Sequence, residues 1–119
     1  GKQPEDYDLI VTGDLGQYGK ELLLELGRRG GLPLGGKLLD CGCMVFDNTA
    51  QDVNAGGSGC GCSAIVLCGY LLDQLRQGKL HRLLFCGTGA LLSPTSSQQG
   101  ESIPSIAHLL LLSAQKEVK

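Results

Sequence analysis

Asp8-Leu9-Ile10-Val11-Thr12-Gly13-Asp14, with Gln17 to Arg29 close behind it, is the stretch whose reading decides the fold class. The first five residues form a short apolar run, and Gly13-Asp14 closes it as a turn, which predicts a buried strand. Gln17 to Arg29 then places Leu22, Leu23 and Leu26 at helical spacing, with Lys20, Glu21, Glu25 and Arg28 outward. Gly30-Gly31 is expected to stop this helix as a left-handed cap. A strand that feeds a helix through a Gly turn opens an α/β layer.

The alternation continues outward from there. Lys37 to Phe46 reads as a weak strand passing into irregular chain, and the polar stretch Asp47 to Gly57 reads as a loop. From about Gly59 to Gln77, Ala64, Ile65, Cys68, Leu71, Leu72 and Leu75 keep the 3.6-residue period, so a second helix is expected with these residues inward and Gly78 as its cap. Leu80 to Cys86 predicts a strand ended by Gly87-Thr88-Gly89. Ser93 to Ser102 is a long polar loop, and Ile106 to Ser113 a last strand whose unbroken apolar run implies burial on both faces. The charged tail, residues 113–119, is expected to fray. The order is βαβαββ: an α/β fold with a mainly parallel sheet and helices packed on it, residues 1–119 forming one unit.

Composition excludes several classes. Nineteen of 119 residues are Gly, without a collagen period, which speaks against a coiled coil or plain helical bundle, where each interior Gly costs about 1 kcal/mol. A chain 42% hydrophobic and 18% charged is not disordered, and a net charge of -2 argues against nucleic acid as a partner. No run is long and apolar enough to span a bilayer, and no secretory leader pattern opens the sequence, so a cytosolic context is expected. The six cysteines are then read as thiols. Cys41/Cys43 and Cys60/Cys62 are spaced too tightly for zinc knuckles, and His81 and His108 lack ligand spacing, so no metal site is expected.

Glycines gather where strands end and helices begin: Gly13, Gly16, Gly56, Gly57, Gly59, Gly61, Gly87 and Gly89. In open α/β sheets ligands bind beyond the carboxyl ends of strands. The stretch Ala55 to Cys62 offers backbone amides to a carboxylate or phosphate, although it lacks a P-loop Lys and follows a polar loop rather than a strand. Close helix–sheet packing is the competing reason for these glycines. Cys60 and Cys62 gain nucleophilic character if they sit at a helix N-terminus, and Cys86 borders a Gly-rich turn, but a nucleophilic Cys needs a base in reach. His81 lies at the far end of its strand, and His108 inside an apolar strand reads as a satisfied core histidine.

Three stretches, Asp8 to Gly16, Asp52 to Ala64 and Cys86 to Pro104, resemble the stage V sporulation protein AD family of endospore-forming bacteria, which has a thiolase-like fold. The resemblance is to the C-terminal half of such proteins. It implies a duplicated five-layer αβαβα sandwich, and a role in moving dipicolinic acid, or its calcium chelate, into the developing spore. It also implies other spore membrane proteins of the same operon as partners, and a place on the cytoplasmic side of the forespore inner membrane. Where condensing enzymes of this fold keep a catalytic His, this chain has Gly13, with Asp14 beside it; their Asn and the thiolase His near Cys60-Gly61-Cys62 are also missing. Cys86 falls near a second reactive Cys of thiolases.

These readings give a non-catalytic binder without cofactor as the expected function. The expected ligand residues are Gly13, Asp14, Ser58, Gly59, Cys60, Gly61, Gly87, Thr88 and Gly89. Ser93, Thr95, Gln98, Gln99 and Glu101 form the expected partner-docking loop. The alternatives are an acyl-transfer enzyme using Cys86 and a structural subunit docking through that loop. A half of a duplicated fold exposes a face that the missing half, or a second copy of the chain, is expected to cover, so the chain alone is expected to self-associate or fold poorly.

Overall fold

The structure, a computed structural model, describes residues 3–47, 49–59, 61–90, 95, 98–100, 102 and 105–114. After a 3-10 turn at Pro4–Asp6 come β1 (Leu9–Thr12), α1 (Gly16–Arg29), β2 (Leu38–Asp40), a single-turn α2 (Cys41–Met44), α3 (Cys62–Val66), a π-helical turn (Leu67–Leu71), α4 (Leu72–Arg76), β3 (Arg82–Ala90) and β4 (Ser105–Ser113). The four strands make one mixed sheet in the order β2-β1-β3-β4. β1 runs parallel to both β2 and β3, while β4 is antiparallel to β3. The α/β class and the strand–helix order thus hold.

β1 sits at the centre because its apolar run is covered on both faces. The chain leaves β1 through α1 to β2 on one side, then returns from β2 through α3 and α4, past β1, to β3 on the other, and right-handed crossovers in opposite directions place their helices on opposite faces. Val11 and Leu83 are fully buried in one core with Cys41, Cys62, Val66, Leu71 and Leu75.

Two helix expectations need correction. The inward stripe of α1 is not Leu22 and Leu26, which are 60% and 55% exposed, but Gly16, Lys20, Leu23, Leu24 and Gly27. Close approach at the glycines sets that choice: a Cβ on Gly27 would lie 2.7 Å from the Leu32 carbonyl oxygen. The stop at Gly30-Gly31 is as expected, with Gly31 (φ +77°) supplying the left-handed conformation and Gly30 keeping φ -83°. In the second helix Ala64, Ile65 and Cys68 are exposed, and the buried positions are 62, 66, 71 and 75. The π turn inserts one extra residue between 66 and 71, which moves the buried stripe off the regular period.

The last strands also differ from expectation. Gly87-Thr88-Gly89 does not end β3; it continues the strand to Ala90, paired with Ile106 to His108. β4 is an edge strand with Ile106, Leu109, Leu110 and Leu111 between 44% and 65% exposed, so its apolar run is not buried, and His108 is exposed with it. A continuous apolar run reports a strand that can be covered on both faces; among the described residues of this run, Leu112 alone packs against the core. Ser113 still pairs with Arg82, and the frayed tail expected beyond it falls on residues 115–119, outside the described residues.

Candidate functional site

β1 stops at Thr12, opposite Cys86, while β3 runs on for four more residues beside β4 alone. That overhang places Thr88 across from the β1–α1 turn, beyond the carboxyl ends of the parallel strands. Gly13 makes the approach possible: a Cβ there would stand 2.7 Å from Thr88 Oγ1 and 3.2 Å from the Thr88 amide nitrogen. With Gly13 bare, the Asp14 amide donates to Thr88 Oγ1 (3.2 Å), and the Thr88 hydroxyl donates to Asp14 Oδ1 (3.1 Å).

Asp14 also gathers the glycine-rich turn. Its Oδ2 accepts the Ser58 hydroxyl at 3.0 Å and the Gly59 amide at 3.2 Å. Gly59 holds φ +120°, a left-handed conformation that L side chains rarely adopt. The result is an open cleft of about 1010 Å³ lined by Asp14, Leu15, Ser58, Gly59, Ser63, Thr88 and Gly89, with Ser105, Ile106 and Ala107 of the neighbouring β4. Apolar surface makes up the larger share of its lining, beside the hydroxyls of Ser58, Ser63, Thr88 and Ser105, and among the described lining residues Asp14 is the charged one.

Of the nine residues expected at the ligand site, five therefore meet in one cleft. Gly13 is buried behind it, and Gly61 and Gly87 do not line it. Cys60 lies outside the described residues. The Gly59 amide, expected to be open to a ligand, is already engaged by Asp14. Gly56 and Gly57 serve packing: the Gly57 amide donates to the Gly42 carbonyl at 2.7 Å, and a Cβ on Gly57 would press on Phe46 and Val45 at 3.3 Å. In the expected docking loop, Thr95 and Gln98 are helical rather than irregular, with the Gln99 amide donating to the Thr95 carbonyl at 3.1 Å. Ser93 and Glu101 lie outside the described residues.

A second carboxylate organises the base of the site, and sequence reading missed it. Asp40 is fully buried and accepts four hydrogen bonds: Oδ1 from the Thr12 hydroxyl (2.6 Å) and Leu15 amide (2.8 Å), Oδ2 from the Gly16 amide (3.0 Å) and Cys43 amide (3.3 Å). It caps α2 and serves the amides that open α1 as well. The available signal was an Asp directly before a short Cys-Gly-Cys turn, which is an N-cap position.

The Cys41, Cys62 and Cys86 thiols are not activated. Burial pushes the Cys41 thiol up to about 12, with the neighbouring Asp40 adding to the effect. Burial likewise raises Cys62, with Asp14 and Asp40 adding to it, and burial alone raises Cys86. The helix N-terminus therefore does not lower the Cys62 thiol as expected; desolvation and two carboxylates prevail. Cys86 pairs with Leu109, so His108, opposite Gly87, sits on the other face of the sheet. No cluster of three metal-ligating side chains occurs among the described residues, and no helix among them is long and apolar enough to cross a membrane.

A family model described as Stage V sporulation protein AD (SpoVAD) matches residues 1–113. The chain belongs to this family. Stage V sporulation protein AD of Bacillus subtilis (strain 168) is 50% identical over 104 residues, which is 87% of this chain and 30% of that protein. The chain thus spans less than a third of the length of that SpoVAD relative. Family membership covers β1 to β4 and hence every described residue of the Asp14 cleft.

Proposed function

We propose that this chain is the C-terminal thiolase-like half of a non-catalytic sporulation protein that binds dipicolinic acid, or its calcium chelate, for uptake into the developing spore. The observation that carries the reading is the Asp14 cleft. It keeps the position of a ligand site in an α/β sheet and sets the Asp14 carboxylate and the hydroxyls of Ser58, Ser63, Thr88 and Ser105 among the apolar Leu15, Ile106 and Ala107, while the place where the resemblance puts a catalytic His is taken by Gly13, packed against Thr88. Claisen chemistry needs an acid–base group beside its thiol. Cys86 has a thiol raised by burial and a histidine only on the opposite face, which supports binding over acyl transfer. Asp14 favours the calcium chelate over the free dianion, since its carboxylate repels one and faces the cation of the other. The reading includes soluble placement at the inner membrane beside partners of the same operon.

Calorimetry on the native protein with dipicolinate, with and without calcium, tests this. Saturable binding that Thr88→Val and a bulky residue at Gly59 abolish is the expected result. Binding that neither substitution alters overturns the assignment of the cleft. Saturable binding of an acyl-CoA with labelling of Cys86 would favour the enzyme instead.

A further inference from the structure

We infer that Asp40, which lines no part of the cleft, is the residue that positions Asp14 within it. The inference rests on the reading of the cleft as a binding site, and concerns what fixes its charged group. The Asp14 side chain can aim at Ser58 and Gly59 only if the two peptide planes on either side of it are fixed. Each is held by one hydrogen bond. The plane before Asp14 is held by its own amide on Thr88 Oγ1 at 3.2 Å. The plane after it ends in the Leu15 amide, which donates to Asp40 Oδ1 at 2.8 Å. Because a peptide group is rigid, anchoring the Leu15 N–H sets the rotation between Asp14 and its own carbonyl.

Asp40 is suited to this as well as to capping α2. It is 0% exposed, and its backbone lies opposite Thr12 in the β1–β2 register, so its position belongs to the sheet rather than to the mobile end of a side chain. Both oxygens accept two donors each, the Thr12 hydroxyl sharing Oδ1 with Leu15 and the Cys43 amide sharing Oδ2 with Gly16. An amide in its place accepts at one end only and turns the other end into a donor facing donors. Whichever end keeps the oxygen, the β1–α1 turn loses an acceptor, at Leu15 or at the adjoining Gly16, while the strands on either side keep their pairing.

Amide hydrogen exchange on the native protein tests this without a ligand. In Asp40→Asn the Gly59 amide, whose acceptor is Asp14, is expected to lose about tenfold of its protection while the Ile10 amide of β1 keeps its own. Should Asp40→Asn not fold, Thr12→Val removes one donor and leaves the carboxylate; it is expected to weaken Gly59 protection about threefold, and Thr12→Ser to restore it. Unchanged protection at Gly59 overturns the inference, as does an equal loss at Gly59 and Ile10, which marks a merely structural role. Calorimetry with calcium dipicolinate separates the two readings. Binding weakened about tenfold by Asp40→Asn supports the inference. Absence of binding by the unsubstituted protein overturns the ligand reading, and the exchange comparison still decides the role of Asp40.

Discussion

Asp14 and Thr88 exchange two hydrogen bonds across the end of β1, the amide of one to the hydroxyl of the other and that hydroxyl back to the carboxylate. The pair joins the first turn of the chain to the overhang of β3. Thr88→Val keeps the shape but removes both bonds, leaving a partly buried amide and carboxylate oxygen without this partner. A loss of about 1–3 kcal/mol in denaturant unfolding is expected, with Thr88→Ser recovering most of it. Equal stability of Thr88→Val and the parent would show that the pair contributes nothing.

Gly13 and Thr88 are matched in size. A methyl group at 13 would stand 2.7 Å from the Thr88 hydroxyl, and the nearby Thr88 backbone at 3.2 Å limits the room to yield. Gly13→Ala is expected to cost about 1–3 kcal/mol, and Thr88→Ala in the same chain to relieve part of that cost. Strict additivity of the two in a double-mutant cycle would sink the match. The same crowding explains why this position cannot hold a His without moving the β3 overhang.

Much of the fold was legible because it is local. β1, α1 and the turn at Gly13 follow from residues within a few positions of one another, and so did five of the residues that line the cleft. What escaped depends on distant pairing. Asp40 becomes a hub only when the β1–β2 register sets it beside Thr12, and Gly87 to Gly89 become strand only because Ile106 to His108 pair with them. The exposure of β4 was invisible for a related reason: an apolar run records what a strand can bury against, not what lies on it, and among the described residues most of this run is exposed.

Thiol reactivity follows the burial pattern. Cys68 is exposed, whereas burial raises Cys41 to about 12 and also raises Cys62 and Cys86. Since the thiolate is the reactive species, iodoacetamide near pH 8 is expected to modify Cys68 first and Cys41 last of these four, the gap narrowing as pH climbs. Peptide mass mapping over time checks the order. Early labelling of Cys86 would reopen the case for a reactive thiol.

Asp8 gives the chain an acid-sensitive clasp. Its carboxylate accepts the amides of Arg82 at 2.9 Å and His81 at 2.6 Å, and these bonds, Arg82 first, hold its carboxyl below the ordinary value. A depressed folded value means that the unfolded chain binds the proton more readily. The stabilisation is therefore present near neutral pH and is lost as pH falls through the folded value. Asp8→Asn is expected to lower stability by about 0.5–1 kcal/mol near pH 7, little because the group is exposed. Melts at about pH 2.5 should show that difference closing; a gap of the same size at both pH values would contradict the mechanism.

The π turn makes the sharpest test of the helix between the glycine-rich turn and β3. A regular helix would turn Ile65 inward with Leu72, yet Ile65 is 68% exposed and Leu71 fully buried. The extra residue at Leu67–Leu71 lets both Cys62 and Val66 before it and Leu71 and Leu75 after it reach the same core. Leu71→Ala is thus expected to cost about 2–5 kcal/mol, against less than about 0.5 kcal/mol for Ile65→Ala in the 119-residue chain. In a protein where further chain packs on this helix, the Ile65 cost rises while the Leu71 cost stays. Urea titrations of both variants in both settings measure it, and a larger loss from Ile65 than from Leu71 in the short chain would mean that the helix is regular after all.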